Sequence, residues 1–347
     1  MKVAILGAGA AAFALAVLLK RDGHDPVIWS PSGEGSAGIA TTPIRASGVI
    51  EGEFAVTVAS KCADAIKGAS AVIVALPAMG HRRVMDAAAP HLGVEQVVII
   101  SAHISFGALY LDELLTARGL KVPIVAWNTT LLRSRKPDSV SCRIATLRKR
   151  VDIAVLPTRL ADRGLAACTA LFGDRFNLRS DLLAVSLSNV NAQGHMALCL
   201  ANFTRMELGE VWDQSSCSTP AIARLVEAID AERVALAAAF GVEVRSAKEH
   251  KLQTHGAGAT AAAKIVTYGP ASVDSRYTLE DVPYGLIPTI MLGRLTGTPT
   301  HLHQAGVDIF SALYGRDFSL ANDLFSLSDT MTAGDFQKAC QDGLECL

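Results

Sequence analysis

The sequence predicts an α/β domain built on a doubly wound parallel sheet, followed by an all-α domain. Three observations carry this. Short, fully apolar, β-branched runs alternate with helical stretches through the first half of the chain. The chain starts with strand, glycine turn and helix in immediate succession. Beyond about residue 178 the strand pattern gives way to long helical ones.

The start reads VAILGAGAAAFALAVLL, residues 3 to 19, without a charge, between Lys2 and Lys20-Arg21. A basic start and an apolar core also suit a secretion signal. A membrane span, however, needs about 20 apolar residues and no paired glycines near its start. Val3 to Leu6 suits a buried strand, Gly7 and Gly9 break it, and an Ala-rich helix runs towards Gly23. The run DPVIWS, Asp25 to Ser30, then gives a second strand. This is the first βαβ unit of a Rossmann-type dinucleotide-binding domain, with Gly7-Ala8-Gly9-Ala10-Ala11-Ala12 as its fingerprint. Gly7 allows the tight turn, Gly9 lets backbone amides approach a pyrophosphate, and Ala12 is small enough for helix–strand packing. The helix N-terminus offers unpaired N–H groups and a favourable dipole.

The alternation continues. Ala55 to Val58 reads as a strand, CADAIKGA as a helix, SAVIVALP as a buried parallel strand, and His81 to Ala89 as a helix. QVVIIS, GALYLDELLTARG and PIVAW follow as strand, helix and strand. SVSCRIATLRKR and VDIAVLP read as antiparallel additions to the same sheet. The expected domains are 1–178 and 179–347.

Composition narrows the class. The 347 residues are 50% hydrophobic with a net charge of −1, which suffices for two cores and argues against nucleic-acid or membrane-surface partners. The basic cluster Arg133, Arg135, Lys136, Arg148, Lys149 and Arg150 reads as solvated hairpin edges. Seven scattered cysteines without a CxxC pair fit reduced thiols of a cytoplasmic protein, and no metal site is expected.

In the second half, LLAVSLSNVNAQGHMALCLANFTRMELGEVW and TPAIARLVEAIDAERVALAAAFG read as long helices. The second has Thr219 as N-cap, Pro220 at its first position and Gly241 past its end. THLHQAGVDIFSALYG and SLANDLFSL read as helical too. On the first long helix Met196, Cys199, Phe203 and Met206 form a core stripe, and Ser188, Asn191, His195 and Asn202 form a polar row beside it. Such a row costs free energy unless it is satisfied or used. Periodicity leaves open whether His195 is a hydrogen-bonded core histidine or a catalytic one. In SRYTLEDVPYGLIPTIMLG, Asp281 suits an N-cap and also an orienting partner for a histidine. Arg276 suits a surface position, a partner for Asp281, or a fork for a substrate carboxylate.

SNVNAQGHMALCLANFTRMELGE, TPAIARLVEAIDAERVALAAAFG and RYTLEDVPYGLIP resemble the opine dehydrogenase family, the octopine, nopaline and related dehydrogenases, over nearly the whole chain. The resemblance implies a Rossmann domain followed by a helical domain. It implies reductive condensation of an amino acid with a 2-oxo acid using a nicotinamide cofactor. By motif position His195 corresponds to the catalytic histidine, Asp281 to its acidic partner and Arg276 to the carboxylate-binding arginine. Asn191, one turn before His195, is a candidate substrate contact. LPAMGH and SAHISFG end two parallel strands and put Leu76, Pro77, His81 and His103 towards the nicotinamide edge, with Leu76 and Pro77 as candidate cofactor contacts and His103 as a candidate substrate contact. After PIVAW the loop reads NTTLLRSR, where octopine-type members carry Glu-Thr and a proline-aromatic turn; Thr129 there is a further candidate substrate contact.

The competing activity is a ketopantoate reductase-like or glycerol-3-phosphate dehydrogenase-like enzyme using a lysine, for which Lys248, Lys251 and Lys264 are available. A non-catalytic cofactor sensor is the competing class. A homodimer through the helical domain is expected. For the cofactor, NAD-specific folds place an acid at the end of the second strand. Here VIWSPSGEG puts Ser30 and Ser32 there, with Glu34 beyond Gly33. Trp29 or Pro31 would pack on adenine, and Arg45 could supply positive charge. NADP(H) is therefore favoured over NAD(H).

Overall fold

The computed structural model describes residues 1–255 and 267–344. The chain divides into two compact units, Met1–Ser186 with Asp335–Leu347, and Leu187–Gly334. The division falls eight residues later than the expected 178/179 boundary, and the C-terminal segment returns to the first unit. Packing explains both. Leu182, Leu183 and Val185 are buried, and Asp181 accepts from the Ala184 amide at 2.9 Å. In the C-terminal helix Ala333–Asp342, Phe336 packs edge-on against Phe106 with centroids 5.0 Å apart.

The first unit contains, in chain order, β1 (Lys2–Leu6), α1 (Ala10–Arg21), β2 (Asp25–Trp29), α2 (Glu34–Ala37), β3 (Ile44–Gly48), β4 (Gly52–Phe54), β5 (Thr57–Val58) and α3 (Cys62–Ile66). It continues with β6 (Ala71–Val74), α4 (His81–Ala88), β7 (Val97–Ile100), α5 (Gly107–Thr116), β8 (Ile124–Trp127), β9 (Leu132–Arg135), β10 (Ser141–Leu147), β11 (Val151–Leu156), α6 (Ala161–Phe172), β12 (Phe176–Leu178) and α7 (Leu182–Ser186). The main sheet has the order β12-β11-β8-β7-β6-β1-β2-β5. From β8 to β5 its neighbours run parallel, and β11 joins β8 antiparallel. The turns after β1, β2, β6, β7 and β8 thus share one edge of the sheet, the edge at which open α/β sheets bind ligands.

The strand at 141–147 corrects the expectation that it extends this sheet. It belongs to a second sheet, β4-β3-β10-β9, pairing parallel with β3 and antiparallel with β9. Its Cys142 and Ile144 are buried while Arg143 is exposed. Helix α1 packs against strands of both sheets. Ala12 to Leu19 are all buried. A helix covered on both sides must be apolar all round, which is why the opening stretch carries no charge.

The second unit contains α8 (Asn191–Glu207), α9 (Pro220–Ala239), α10 (Ala247–His255), α11 (Arg276–Leu279), a π-helical turn Val282–Leu286, α12 (Ile287–Thr296) and α13 (His301–Tyr314). Met196, Cys199, Met206, Ile229, Leu286 and Phe310 form its core. The helix expected across 182–212 is broken at 187–190 between α7 and α8, and Asn202 is non-helical at φ −125°. Thr219 caps α9 by accepting from the Ile222 amide, as its sequence predicts. SLANDLFSL forms only a short turn at Phe318–Leu320 instead of a helix. Asp317 takes the Ser319 amide and Asn322 takes those of Leu324 and Phe325, so side chains compete with helical bonding.

Candidate active site

The imidazole of His195 donates from Nδ1 to Asp281 Oδ2 at 2.5 Å. The side chains of the two residues are 17% and 12% exposed, so the bond is sheltered while the ring keeps an open edge. Tyr277 stacks on the same ring at 3.6 Å with an interplanar angle of 10°. With Nδ1 committed to the carboxylate, Nε2 is the nitrogen that can exchange a proton with a ligand. Asp281 precedes the π-helical turn, yet its carboxylate makes no capping bond. Its partner is His195 and not Arg276, contrary to one of the expected roles of each. The wide turn after Asp281 contains Pro283, whose missing N–H is tolerated at a helix start. Behind the pair Cys199 is fully buried, and burial pushes its thiol up to about 12. The pair therefore neighbours a thiol that stays protonated.

His195 lines a pocket of about 400 Å³ formed within the second unit. From α8 come Asn191, Gly194, His195 and Leu198, a stripe spaced three, four and seven residues along one face. Opposite, α9 supplies Ile222, Ala223, Val226 and Glu227. Gln214 and Ser218 add hydrogen-bonding groups, and Lys248 of α10 adds an ammonium. Of the expected polar row, Asn191 and His195 reach this pocket. Ser188 precedes α8, and Asn202 is turned onto its own helix, donating to the Leu198 carbonyl at 2.9 Å. Arg276 is exposed at the first position of α11, beside Tyr277. Tyr277, Ile222, Val226 and Glu227 were not singled out by sequence, although Tyr277 sits inside the RYTLEDVP motif. The side chains of Lys251 and Lys264 lie outside the described residues.

The first unit carries the glycine turn. Gly7 has φ +134°, and a Cβ there would meet the Ala75 carbonyl oxygen at 2.4 Å, so only glycine fits. Nothing lies within 4 Å of a Cβ built at Gly9, which leaves room for a ligand's phosphates. No side chain caps α1, and its first turn, from Ala10 through Ala11 and Ala12, holds no acidic residue. Its leading amides are thus available to an anion. Ala8 lies between the glycines, half buried. These residues fit a dinucleotide.

At the end of β2, Trp29 is 8% exposed. Pro31 and Ser32 follow in a turn, Ser30 Oγ lies 3.4 Å from Ser36 Oγ, and no carboxylate replaces the serines. Arg45 does not fold back to this loop: it pairs with Asp138 at 3.8 Å on the second sheet. Lys136, assigned by sequence to a solvated edge, instead donates to the carbonyls of Ala8 and Gly35. Leu76 and Pro77 follow β6, half buried and exposed, and Thr129 follows β8, half buried.

His103 departs from its expected substrate contact. It is 1% exposed, accepts from the Ala108 amide at Nε2 and donates from Nδ1 to Ser186 Oγ. Burial, with His81 nearby, pulls it down to about 3, so it stays neutral. His81 is equally buried and donates from Nε2 to the Leu76 carbonyl at 2.9 Å. The loop from β7 to α5, which contains His103, is strained: Ala102, Ser105 and Phe106 all have positive φ.

Residues 178–314 match the alpha-helical domain of NAD/NADP octopine/nopaline dehydrogenase. Residues 2–106 match the N-terminus of NAD-dependent glycerol-3-phosphate dehydrogenase. An opine dehydrogenase of Arthrobacter sp. (strain 1C) is 29% identical over 266 residues, 73% of each chain. Among solved structures, octopine dehydrogenase in complex with NADH and agmatine is similar at a TM-score of 0.77 and 15% identity, with 98% of both chains covered. Yersinopine dehydrogenase with NADP+ bound is similar at a TM-score of 0.65 and 18% identity, covering 98% of this chain and 97% of that one. These two likenesses establish the fold. Among the described residues no helix is long and apolar enough to cross a membrane.

Proposed function

We propose that the chain is an opine dehydrogenase that joins an amino acid bearing an aliphatic side chain to a 2-oxo acid such as pyruvate, with NADP(H) preferred to NAD(H). The observation that carries the reading is the 2.5 Å His195–Asp281 bond on the wall of a pocket that also holds Lys248.

The chemistry sets what the residues must do. The amine nitrogen attacks the carbonyl carbon, water leaves, and the resulting C=N carbon is reduced, with one proton consumed overall. The nicotinamide, when bound, supplies the hydride for that reduction. His195 takes the proton that the substrate ammonium must lose, and returns a proton to the departing oxygen from Nε2. Asp281 holds the ring in the tautomer that leaves Nε2 facing substrate, and Tyr277 fixes its plane. The two reactants bring two carboxylates. Arg276 and Lys248 are the cations suited to hold them, and Asn191 is a further polar contact. Leu198, Ile222, Ala223 and Val226 make the pocket wall aliphatic, while the one carboxylate lining it among the described residues, Glu227, is exposed. That composition favours an apolar side chain over a guanidinium.

The cofactor is held by the Gly7-to-Ala12 turn, with Trp29, Pro31, Leu76 and Pro77 packing its rings and Ser30 and Ser32 meeting the adenosine ribose. A 2′-phosphate there meets no carboxylate, which supports NADP(H). Five of the described cysteines are buried and six are unbridged, which fits a cytoplasmic enzyme. A homodimer through the helical unit is tested by sedimentation.

A second reading has one observation in its favour: Lys248 shares the pocket with His195, as a hydroxy-acid dehydrogenase using lysine would require. Mass analysis of the product from leucine, pyruvate and NADPH separates the two. The proposal expects the secondary amine N-(1-carboxyethyl)leucine. Lactate as the sole product would overturn it.

A further inference from the structure

The second sheet delivers a cation to the dinucleotide turn. Along β9 and the residue after it, side chains alternate as a strand requires. Arg133 and Arg135 are exposed, while Ser134 and Lys136 are half buried on the side of α1. Ser134 Oγ donates to the Ala10 carbonyl at 2.9 Å. Lys136 Nζ donates to the Ala8 carbonyl at 3.0 Å and the Gly35 carbonyl at 2.6 Å, and stands 4.1 Å from the centre of the Phe13 ring. Ala8 belongs to the glycine turn, and Gly35 to α2, the single helical turn within the loop segment that follows β2. The loop lies against the turn: a Cβ at Gly35 would be 3.0 Å from that of Ala8.

Both hydrogen-bond acceptors of this ammonium are neutral. The nearby acid, Asp138, is exposed and paired with Arg45. Burial pulls the Lys136 ammonium below its ordinary range, so the position is costly for an unmatched charge. Two of its three N–H donors are used. A ligand anion between the glycine turn and the β2 loop would match the charge.

We propose that Lys136 is a phosphate-binding residue of the dinucleotide site, contributed by the second sheet and not by the βαβ unit that carries the fingerprint. The proposal rests on dinucleotide binding by the first unit. The phosphate has two sources, the pyrophosphate beside Ala8 or a 2′-phosphate beside the loop of Gly35.

Titrations of the full chain with NADH and with NADPH, read by protein fluorescence, test it. Lys136→Gln keeps an N–H donor for the carbonyls and removes the charge; Lys136→Arg keeps the charge. The Gln variant should raise Kd roughly tenfold for at least one cofactor, and Arg should restore most of it. Loss confined to NADPH assigns the 2′-phosphate, and equal loss for both assigns the pyrophosphate. The wild-type Kd should also rise between about 0.05 M and about 0.5 M salt, and this rise should flatten in the Gln variant. A salt-independent wild-type Kd, or a Gln variant matching wild type for both cofactors, would overturn the assignment. Equal losses in Gln and Arg with the salt slope retained would also overturn it, leaving only a brace for the turn. If wild-type protein bound neither cofactor, the dinucleotide reading itself would fail, which is a separate result.

Discussion

His195 and Asp281 are 86 positions apart in sequence and 2.5 Å apart in space. Replacing His195 with Ala should leave folding and cofactor affinity intact and lower kcat by roughly 10²- to 10⁴-fold, the range for a general acid–base group. Wild-type turnover at saturating substrates would remove it from the mechanism. Asp281→Asn should also slow kcat with little change in cofactor Kd, because an amide in this position no longer selects the Nδ1–H tautomer. Arg276→Ala should raise KM for one of the two acids; unchanged KM for both would leave it a surface arginine. The same helix pattern that marked His195 could not show that Asn202 bends back onto its own backbone, since periodicity gives a face and no hydrogen-bond partner. His103 shows the same limit from the other side. A histidine at the end of a parallel strand reads as a site residue, yet it is buried and bonded to Ala108 and Ser186. Its lowered folded-state pKa means the unfolded chain binds the extra proton, so stability falls as pH drops below about 6.5 and levels near about 3. The slope from this group is roughly 1.4 kcal/mol per pH unit. Urea denaturation between these limits should show a shallower acid loss in His103→Gln than in wild type. Equal slopes would mean that His103 titrates alike in both states.

At the scale of elements, the parallel strands and α1 were legible because apolar β-branched runs and paired glycines are local signals. The second sheet was not. Its strands β3 and β10 are about a hundred residues apart and pair through register, which composition does not encode. Its presence is nonetheless implied by α1: a helix with no polar face needs cover on both sides. The break between α7 and α8 was missed because LSNV lies inside a continuous apolar pattern. Gly7→Ala tests the turn as an element. The new Cβ would collide with the Ala75 carbonyl, so β1 or β6 must shift. NADPH affinity should fall by at least roughly tenfold while the helical unit keeps its secondary structure. Unchanged affinity, measured by fluorescence titration, would place the phosphates away from this turn.

At the scale of the molecule, one unit carries a turn fitted to a dinucleotide and the other a histidine–carboxylate pair in a half-apolar pocket. Sequence resemblance indicated this division of labour, but the amine was not legible from it, because the pocket's wall comes from α9 and α10, whose facing residues spacing alone does not identify. The aliphatic wall predicts higher kcat/KM for leucine or norvaline than for arginine with the same oxo acid. Val226→Asp should narrow that gap, and a wild-type preference for arginine would refute the assignment of the wall. If an amine is a substrate, cofactor oxidation must depend on it. The most direct measurement is the initial rate of NADPH oxidation with pyruvate, with and without aliphatic amino acids, at fixed pH. Oxidation should rise and saturate with amine concentration and be negligible without it; oxidation by pyruvate alone at the same rate would mean that no amine is consumed.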